Sequence, residues 1–326
     1  MCSDVRIAVV GTNFISDRFM DALSECDGVS AVAVLSRREE TGRAFADKYA
    51  IPKIYCDLDA LLADSDIDAL YVASPTLCHE EQSCRAMLAG KHVLCEKMMS
   101  ADLDGAIRMI EVSEKTGRVL LEAMRPAHDP VYDAVRAALP RLGKIRRATL
   151  EFCQYSSRYD AFLSGRVENA FNPKLKNSAL ADIGIYPLHA ALMLFGEPET
   201  VRADSVFLSN GFEGFGMMEL GYSDMIANIT YSKISDSVNP SIIEGELGSL
   251  TVNKISAPTE LVLHLRGAAP EVLDIAPFRN NMVCEIRAFR DMIRGQGDCR
   301  PYLATTLLAQ RIVDQVYRTS HISDKF

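Results

Sequence analysis

The chain has 326 residues, a formal net charge of −9 and 48% hydrophobic residues. That length exceeds what one hydrophobic core usually organises, so two domains are expected. The acidic balance disfavours sequence-independent attraction to nucleic acid or to an anionic membrane, both of which depend on clustered cations, and leaves a small molecule as the expected partner.

The first stretch alternates short β-branched runs with helical patterns, which predicts a parallel sheet wrapped by helices. Strands are expected at Arg6–Val10, Val29–Leu35, Ala69–Ala73, His92–Cys95 and Val119–Leu121. Ile15, Phe19, Leu23 and Cys26 recur at helical spacing, as do Leu103, Ile107 and Ile110 behind Ser100 as N-cap. After about Pro126 the texture changes to longer strand-like stretches, Arg147–Tyr155, Val201–Leu208, Phe215–Tyr222 and Met225–Lys233. Ile286, Phe289 and Ile293, then Leu308, Ile312 and Val316, mark two late amphipathic helices. The expected division is therefore residues 1–126, an α/β doubly wound parallel sheet, and residues 127–326, an α+β domain with a mostly antiparallel open sheet. An open sheet with one covered face favours a homodimer or homotetramer.

Nine cysteines, from Cys2 to Cys299, show no paired short spacing of the zinc-site kind, so most are read as reduced core thiols. No His, Asp and Glu set stands at metal-ligand spacing, and no metal is expected. The opening Met1–Gly11 has no basic segment leading into a long apolar run, and nowhere do about eighteen apolar residues follow one another. A cytoplasmic chain without a membrane span is expected.

The segment Gly11–Thr12–Asn13–Phe14–Ile15–Ser16 sits where a first strand turns into a helix, the place where a dinucleotide pyrophosphate rests on backbone N–H groups. Gly11 can make the tight turn, while Asn13, tolerant of left-handed backbone angles, and the small Ser16 stand at the second and third glycine positions. An acid at the end of the second strand would repel a 2′-phosphate, but the text there is Leu35–Ser36–Arg37–Arg38. A hydroxyl and two guanidiniums suit a phosphomonoester, so NADP(H) is expected to be preferred, with NAD(H) as the other nicotinamide cofactor.

Two further strands end in polar text at the edge where doubly wound sheets bind ligands: Ser74–Pro75–Thr76–Leu77–Cys78–His79 and Glu96–Lys97. Past the boundary, Asp182–Ile183–Gly184–Ile185–Tyr186–Pro187–Leu188–His189 packs polar groups into an apolar helical segment. With Glu122–Ala123 closing the last strand and the glycine turn Glu244–Leu250, these resemble, over nearly the whole chain, the Gfo/Idh/MocA family of NAD(P)-dependent oxidoreductases. Three departures stand out. Met98 follows Glu96–Lys97 where the family has proline, and a cis bond there would cost roughly 3 kcal/mol. Lys176–Asn177–Ser178 replaces glycines, and the nucleotide fingerprint lacks its second and third glycines.

The resemblance implies a Rossmann domain followed by a substrate-binding and oligomerisation domain. It implies hydride transfer to or from a sugar, an inositol or a related alcohol or carbonyl. Lys97 then lies beside the nicotinamide, and Tyr186 or His189 carries the proton. Gly11, Thr12, Asn13, Phe14, Ile15, Ser36, Arg37, Arg38, Ser74, Pro75, Thr76, His79, Glu96 and Lys97 hold the cofactor; Arg125, Arg158, Tyr159, Asn172 and Asp182 line the substrate site. The alternative is a non-catalytic NAD(P)-binding sensor of the same fold, which Met98 and the sparse glycines favour and Lys97 with Tyr186 oppose.

Overall fold

The computed structural model describes residues 4–320, so Cys2 lies outside the described residues. Two compact units result, one running to Met124 and including Phe278–Leu307, the other Arg125–Pro277 with the residues from Leu308 onward. A single division at 126/127 misses that return. Its cause is the amphipathic helix Met282–Ile293, whose Met282, Val283, Ile286, Phe289 and Met292 are buried in the core of the first unit.

In the first unit β1 (Val5–Val10), β2 (Val29–Leu35), β3 (Lys53–Tyr55), β4 (Ala69–Val72), β5 (His92–Glu96) and β6 (Leu120–Ala123) form one parallel sheet. The order is β3-β2-β1-β4-β5-β6. It reverses direction between β1 and β4, which opens a crevice at the carboxyl ends of those strands. Because side chains alternate along a strand, Ile7 and Val9 join Phe19, Leu23 and Phe289 on one face. Ala8 and Val10 join Leu61, Met87 and Met109 on the other. Only β3 is absent from the expected strands, since three residues are too short to show an alternation.

The helices are α1 (Phe14–Leu23), α2 (Glu39–Tyr49), α3 (Leu58–Leu62), α4 (His79–Leu88) and α5 (Leu103–Thr116). The cap of α5 is Asp102, not Ser100: its carboxylate accepts the Gly105 N–H at 2.9 Å, while the Ser100 hydroxyl takes the Asp102 N–H at 3.5 Å.

The second unit holds β7 (Ile145–Cys153), β8 (Thr200–Phe207), β9 (Glu213–Gly221), β10 (Ile226–Ser232), β11 (Ser241–Gly245), β12 (Gly248–Val252), β13 (Leu261–Leu265) and β14 (Glu271–Val272). Their order is β14-β13-β12-β11-β7-β10-β9-β8, and only β7 and β10 run parallel. Ala148, Leu150, Met218, Leu220, Ala227 and Ile229 are buried, and the apolar helix Ile185–Phe195 packs on β7 and β10.

Among the described residues every cysteine is a free thiol, but only Cys26, Cys95 and Cys284 are buried, and Cys56 is exposed. The expectation of core thiols holds for those three. No described helix is long and apolar enough to cross a membrane. No described group of three or more His, Cys, Asp or Glu side chains could hold a metal ion.

Candidate functional site

At the end of β1 the chain turns through Gly11 at φ +102°, and a Cβ there would lie 2.8 Å from the Ala73 carbonyl oxygen. Glycine is required on both counts. Asn13 makes no use of its tolerance of left-handed angles; it is extended, at φ −90° and ψ −179°, and serves as N-cap of α1. Its Oδ1 accepts from Ile15 N–H at 2.9 Å and Ser16 N–H at 3.4 Å, while its Nδ2 donates to Ala73 O at 2.8 Å. Ser16, fully buried, donates to Gly11 O at 2.9 Å. Thr12 and Ile15 are half-buried, and Phe14 is exposed.

At the end of β2, Ser36 is buried and bonds Thr41 Oγ1 at 2.6 Å, which ties the strand end to the first turn of α2. Arg37 and Arg38 are exposed immediately before that helix. The N-terminal end of α2 follows directly, with Glu39 and Glu40 in its first turn next in sequence to the two arginines.

Beyond β4, Ser74 and Thr76 are half-buried and Pro75 is exposed. The Ser74 hydroxyl donates to Gln82 Oε1 at 2.6 Å. His79 is buried, with Nε2 2.8 Å from Ser74 O and Nδ1 2.9 Å from Met98 O, so one ring joins the loop after β4 to the turn after β5. Burial holds its pKa below the ordinary imidazole value, against the two carbonyls, which favour the charged form.

Glu96 is buried and accepts from Tyr71 OH at 2.6 Å and from Lys97 N–H at 3.2 Å, so the carboxylate is engaged within the fold. Tyr71 in turn stacks on Phe19, ring centroids 3.7 Å apart. Lys97 is half-buried at the carboxyl end of β5, and the Lys97–Met98 peptide bond is cis. Glu122 fixes the turn that follows, accepting from Met99 N–H at 2.9 Å and Thr306 Oγ1 at 2.8 Å.

The second unit gathers the other polar group. The Asp182 segment opens as a π-helical turn, Leu180–Gly184, before the α-helix Ile185–Phe195. Beneath it lies buried Glu213, which accepts from Leu180 N–H at 2.9 Å, Tyr231 OH at 2.9 Å and Ser205 Oγ at 2.8 Å. Burial raises its pKa against those donors. The Tyr231 ring explains Gly184: a Cβ there would meet it at 2.7 Å.

Tyr186 is 6% exposed. Arg125 Nη2 donates to its hydroxyl at 3.2 Å, the guanidinium lies 5.2 Å from the ring centroid, and Phe152 packs at 5.7 Å. His189, three residues on, is buried in the same helix. Asp182 Oδ2 accepts from Lys233 Nζ at 2.6 Å. Nearby, Tyr159 stacks on Phe171 at 5.8 Å; exposed Arg158 has its Nε 3.5 Å from Glu168, and Asn172 caps a short turn by accepting Lys174 N–H at 3.1 Å. Tyr71, Lys233 and Glu213 went unnoticed in the sequence, because a lone polar residue within or at the end of a strand carries no spacing signal.

Residues 5–124 match the oxidoreductase family with NAD-binding Rossmann fold, Gfo/Idh/MocA, and residues 134–251 match the C-terminal domain of the same family. The chain is 38% identical over 290 residues, 89% of its length and 88% of the relative's, to a scyllo-inositol 2-dehydrogenase (NADP(+)) of Bacillus subtilis (strain 168). It is 28% identical to a trans-1,2-dihydrobenzene-1,2-diol dehydrogenase of Mus musculus, covering 80% of this chain and 78% of that one. Its fold is that of a 3-ketoreductase from Actinomadura kijaniata solved with NADP and TDP-benzene, at TM-score 0.86 and 24% identity over 98% of both chains. The glycine turn at β1, the Glu96–Lys97 strand end, the Asp182–His189 segment and both family matches agree, and the chain belongs to the Gfo/Idh/MocA family of oxidoreductases.

Proposed function

We infer that the protein moves hydride between NADP(H) and an alcohol or carbonyl carbon of a sugar, an inositol or a related cyclic polyol, with NAD(H) as the weaker cofactor. The observation that carries this reading is the 38% identity over 89% of the chain to a dehydrogenase that uses NADP(+) on scyllo-inositol. The end of β2 supports the cofactor choice, since exposed Arg37 and Arg38 stand where an acid would select NAD. The turn after β1 fits the pyrophosphate. Asn13 occupies the Ile15 and Ser16 N–H groups, so the N–H groups of Thr12, Asn13 and Phe14 would meet the phosphates.

When bound, the nicotinamide supplies the hydride chemistry. Lys97 opposes the negative charge that develops on the substrate oxygen. Tyr186 exchanges a proton with that oxygen, giving it up in reduction and taking it in oxidation. The Arg125 donor uses a lone pair of the phenol and not its proton. Asp182, Arg158, Tyr159 and Asn172 then serve the remaining hydroxyls. The same reading makes the protein a cytoplasmic homo-oligomer. Exposed Val206 and Met217, on the sheet face opposite the buried Met218 and Leu220, support the assembly.

The test is a reduction assay over inositols, aldoses and small diols with both cofactors. Charge-assisted bonds to phosphate contribute about 1.5–3 kcal/mol each, so NADP(+) should outperform NAD(+) by about tenfold or more. No turnover of any polyol by a protein that binds NADPH would replace the enzyme with the sensor.

A further inference from the structure

The reading above leaves Lys233 without a part. This residue follows β10, is 5% exposed, and its ammonium lies 5.1 Å from the Phe171 ring centroid and 5.6 Å from that of Phe212. Both rings are fully buried. The backbone is fixed on both sides: Lys233 N–H donates to Gly214 O at 2.8 Å, and its carbonyl accepts Ser156 N–H at 2.9 Å. A methionine or leucine would pack beside the two adjoining phenylalanines without the desolvation penalty of a buried charge. The charge therefore has its use at its far end. There Nζ meets Asp182 Oδ2 at 2.6 Å, and the Asp182 side chain, unlike that of Lys233, is 47% exposed.

We propose that Lys233 is a positioning residue for substrate specificity: its buried ammonium holds the Asp182 carboxylate in one orientation, as a fixed acceptor for substrate hydroxyls. The proposal rests on the assignment of Asp182 to the substrate site. An ionised carboxylate only accepts hydrogen bonds, so it selects ligands that bring O–H donors and discriminates against deoxygenated analogues. The adjacent rings of Phe171 and Phe212, packed together beside the ammonium, stabilise its charge without competing with Asp182 for it, because they offer no carboxylate of their own. The anchor acts on a segment already fixed from below, where Glu213 holds Leu180 N–H and Tyr231 packs on Gly184. Ala181 and Asp182 are the half-buried residues of that turn, and Lys233 restrains the Asp182 carboxylate.

The experiment compares the parent with Lys233→Met, Lys233→Arg, Asp182→Asn and the double variant Lys233→Met with Asp182→Asn. The probes are scyllo-inositol, myo-inositol and the best sugar of the assay above. Folding is checked by circular dichroism, and NADPH affinity by fluorescence. Lys233→Met should raise KM for the polyol about tenfold or more while changing kcat and NADPH affinity less than about threefold, because uniform binding is lost and not transition-state stabilisation. Lys233→Arg, which keeps the charge, should recover most of that loss. In the Asp182→Asn background the same change should add less than about twofold, since residues acting through one another are not additive. Should Lys233→Met fail to fold, Lys233→Gln is read in its place. An unchanged KM in a folded variant, or fully additive effects, overturns the proposal. A parent that oxidises none of the probes overturns the functional reading first and this assignment with it.

Discussion

The phenol of Tyr186 receives a hydrogen bond from Arg125 at 3.2 Å and is flanked by Phe152, so its position is set by two neighbours of different chemistry. His189, three residues further on, is buried in the same helix. If Tyr186 carries the proton, Tyr186→Phe keeps the packing and removes the acid, and turnover should fall about a hundredfold or more. His189→Gln should cost less. The reverse result, with a mild phenylalanine variant and a dead glutamine variant, would hand the proton to the histidine. Asn13 makes a related point about single residues. The second glycine of a nucleotide fingerprint can be replaced where the side chain caps the helix and ties the turn to the end of the neighbouring strand, as Asn13 does through Ile15, Ser16 and Ala73.

Most elements were legible because their periodicities are strong. The β1 run Val5–Val10 alternates between two cores, and the helix Leu103–Thr116 is where the spacing puts it, although Ile107 of the expected stripe is exposed and the buried face is Ala106, Met109 and Ser113. What escaped the sequence has physical causes. The strand β3 is three residues long, too few for a pattern. The cap of α5 was misplaced by two residues because Ser100 and Asp102 are both good caps, and only the carboxylate reaches Gly105 N–H. The return of Met282–Ile293 to the first unit could not be read because an amphipathic stripe says that a helix packs, not on which sheet. The motifs at strand ends were found by residue type, whereas their supports, Tyr71 under Glu96 and Lys233 beside Asp182, depend on pairings distant in the chain.

At the scale of the molecule, buried His79 and half-buried His92 and His128 make stability depend on pH. Burial lowers His128 to about 4 and, with a contribution from Arg118, His92 to about 4; His79 is lowered too. A histidine whose folded value lies below its unfolded one of about 6.5 favours folding above that value and loses the contribution as pH falls toward the folded value. Glu213, with its raised value, works in the opposite sense, favouring the fold in acid. Melting temperature should therefore drop between about pH 6.5 and 4, and His128→Gln should shrink the drop by a few degrees. An equal drop in the variant would mean that His128 titrates normally. If this family member is a working NADP(H) oxidoreductase of the proposed kind, its turnover depends on Lys97. Stopped-flow measurement of NADPH oxidation by the carbonyl product of its best polyol, in the parent and in Lys97→Ala, tests it most directly. The alanine variant should lose about a hundredfold or more in the hydride-transfer rate while binding NADPH nearly as well, since the ammonium matters as charge develops on the substrate oxygen. An alanine variant that transfers hydride at the parent's rate would contradict it.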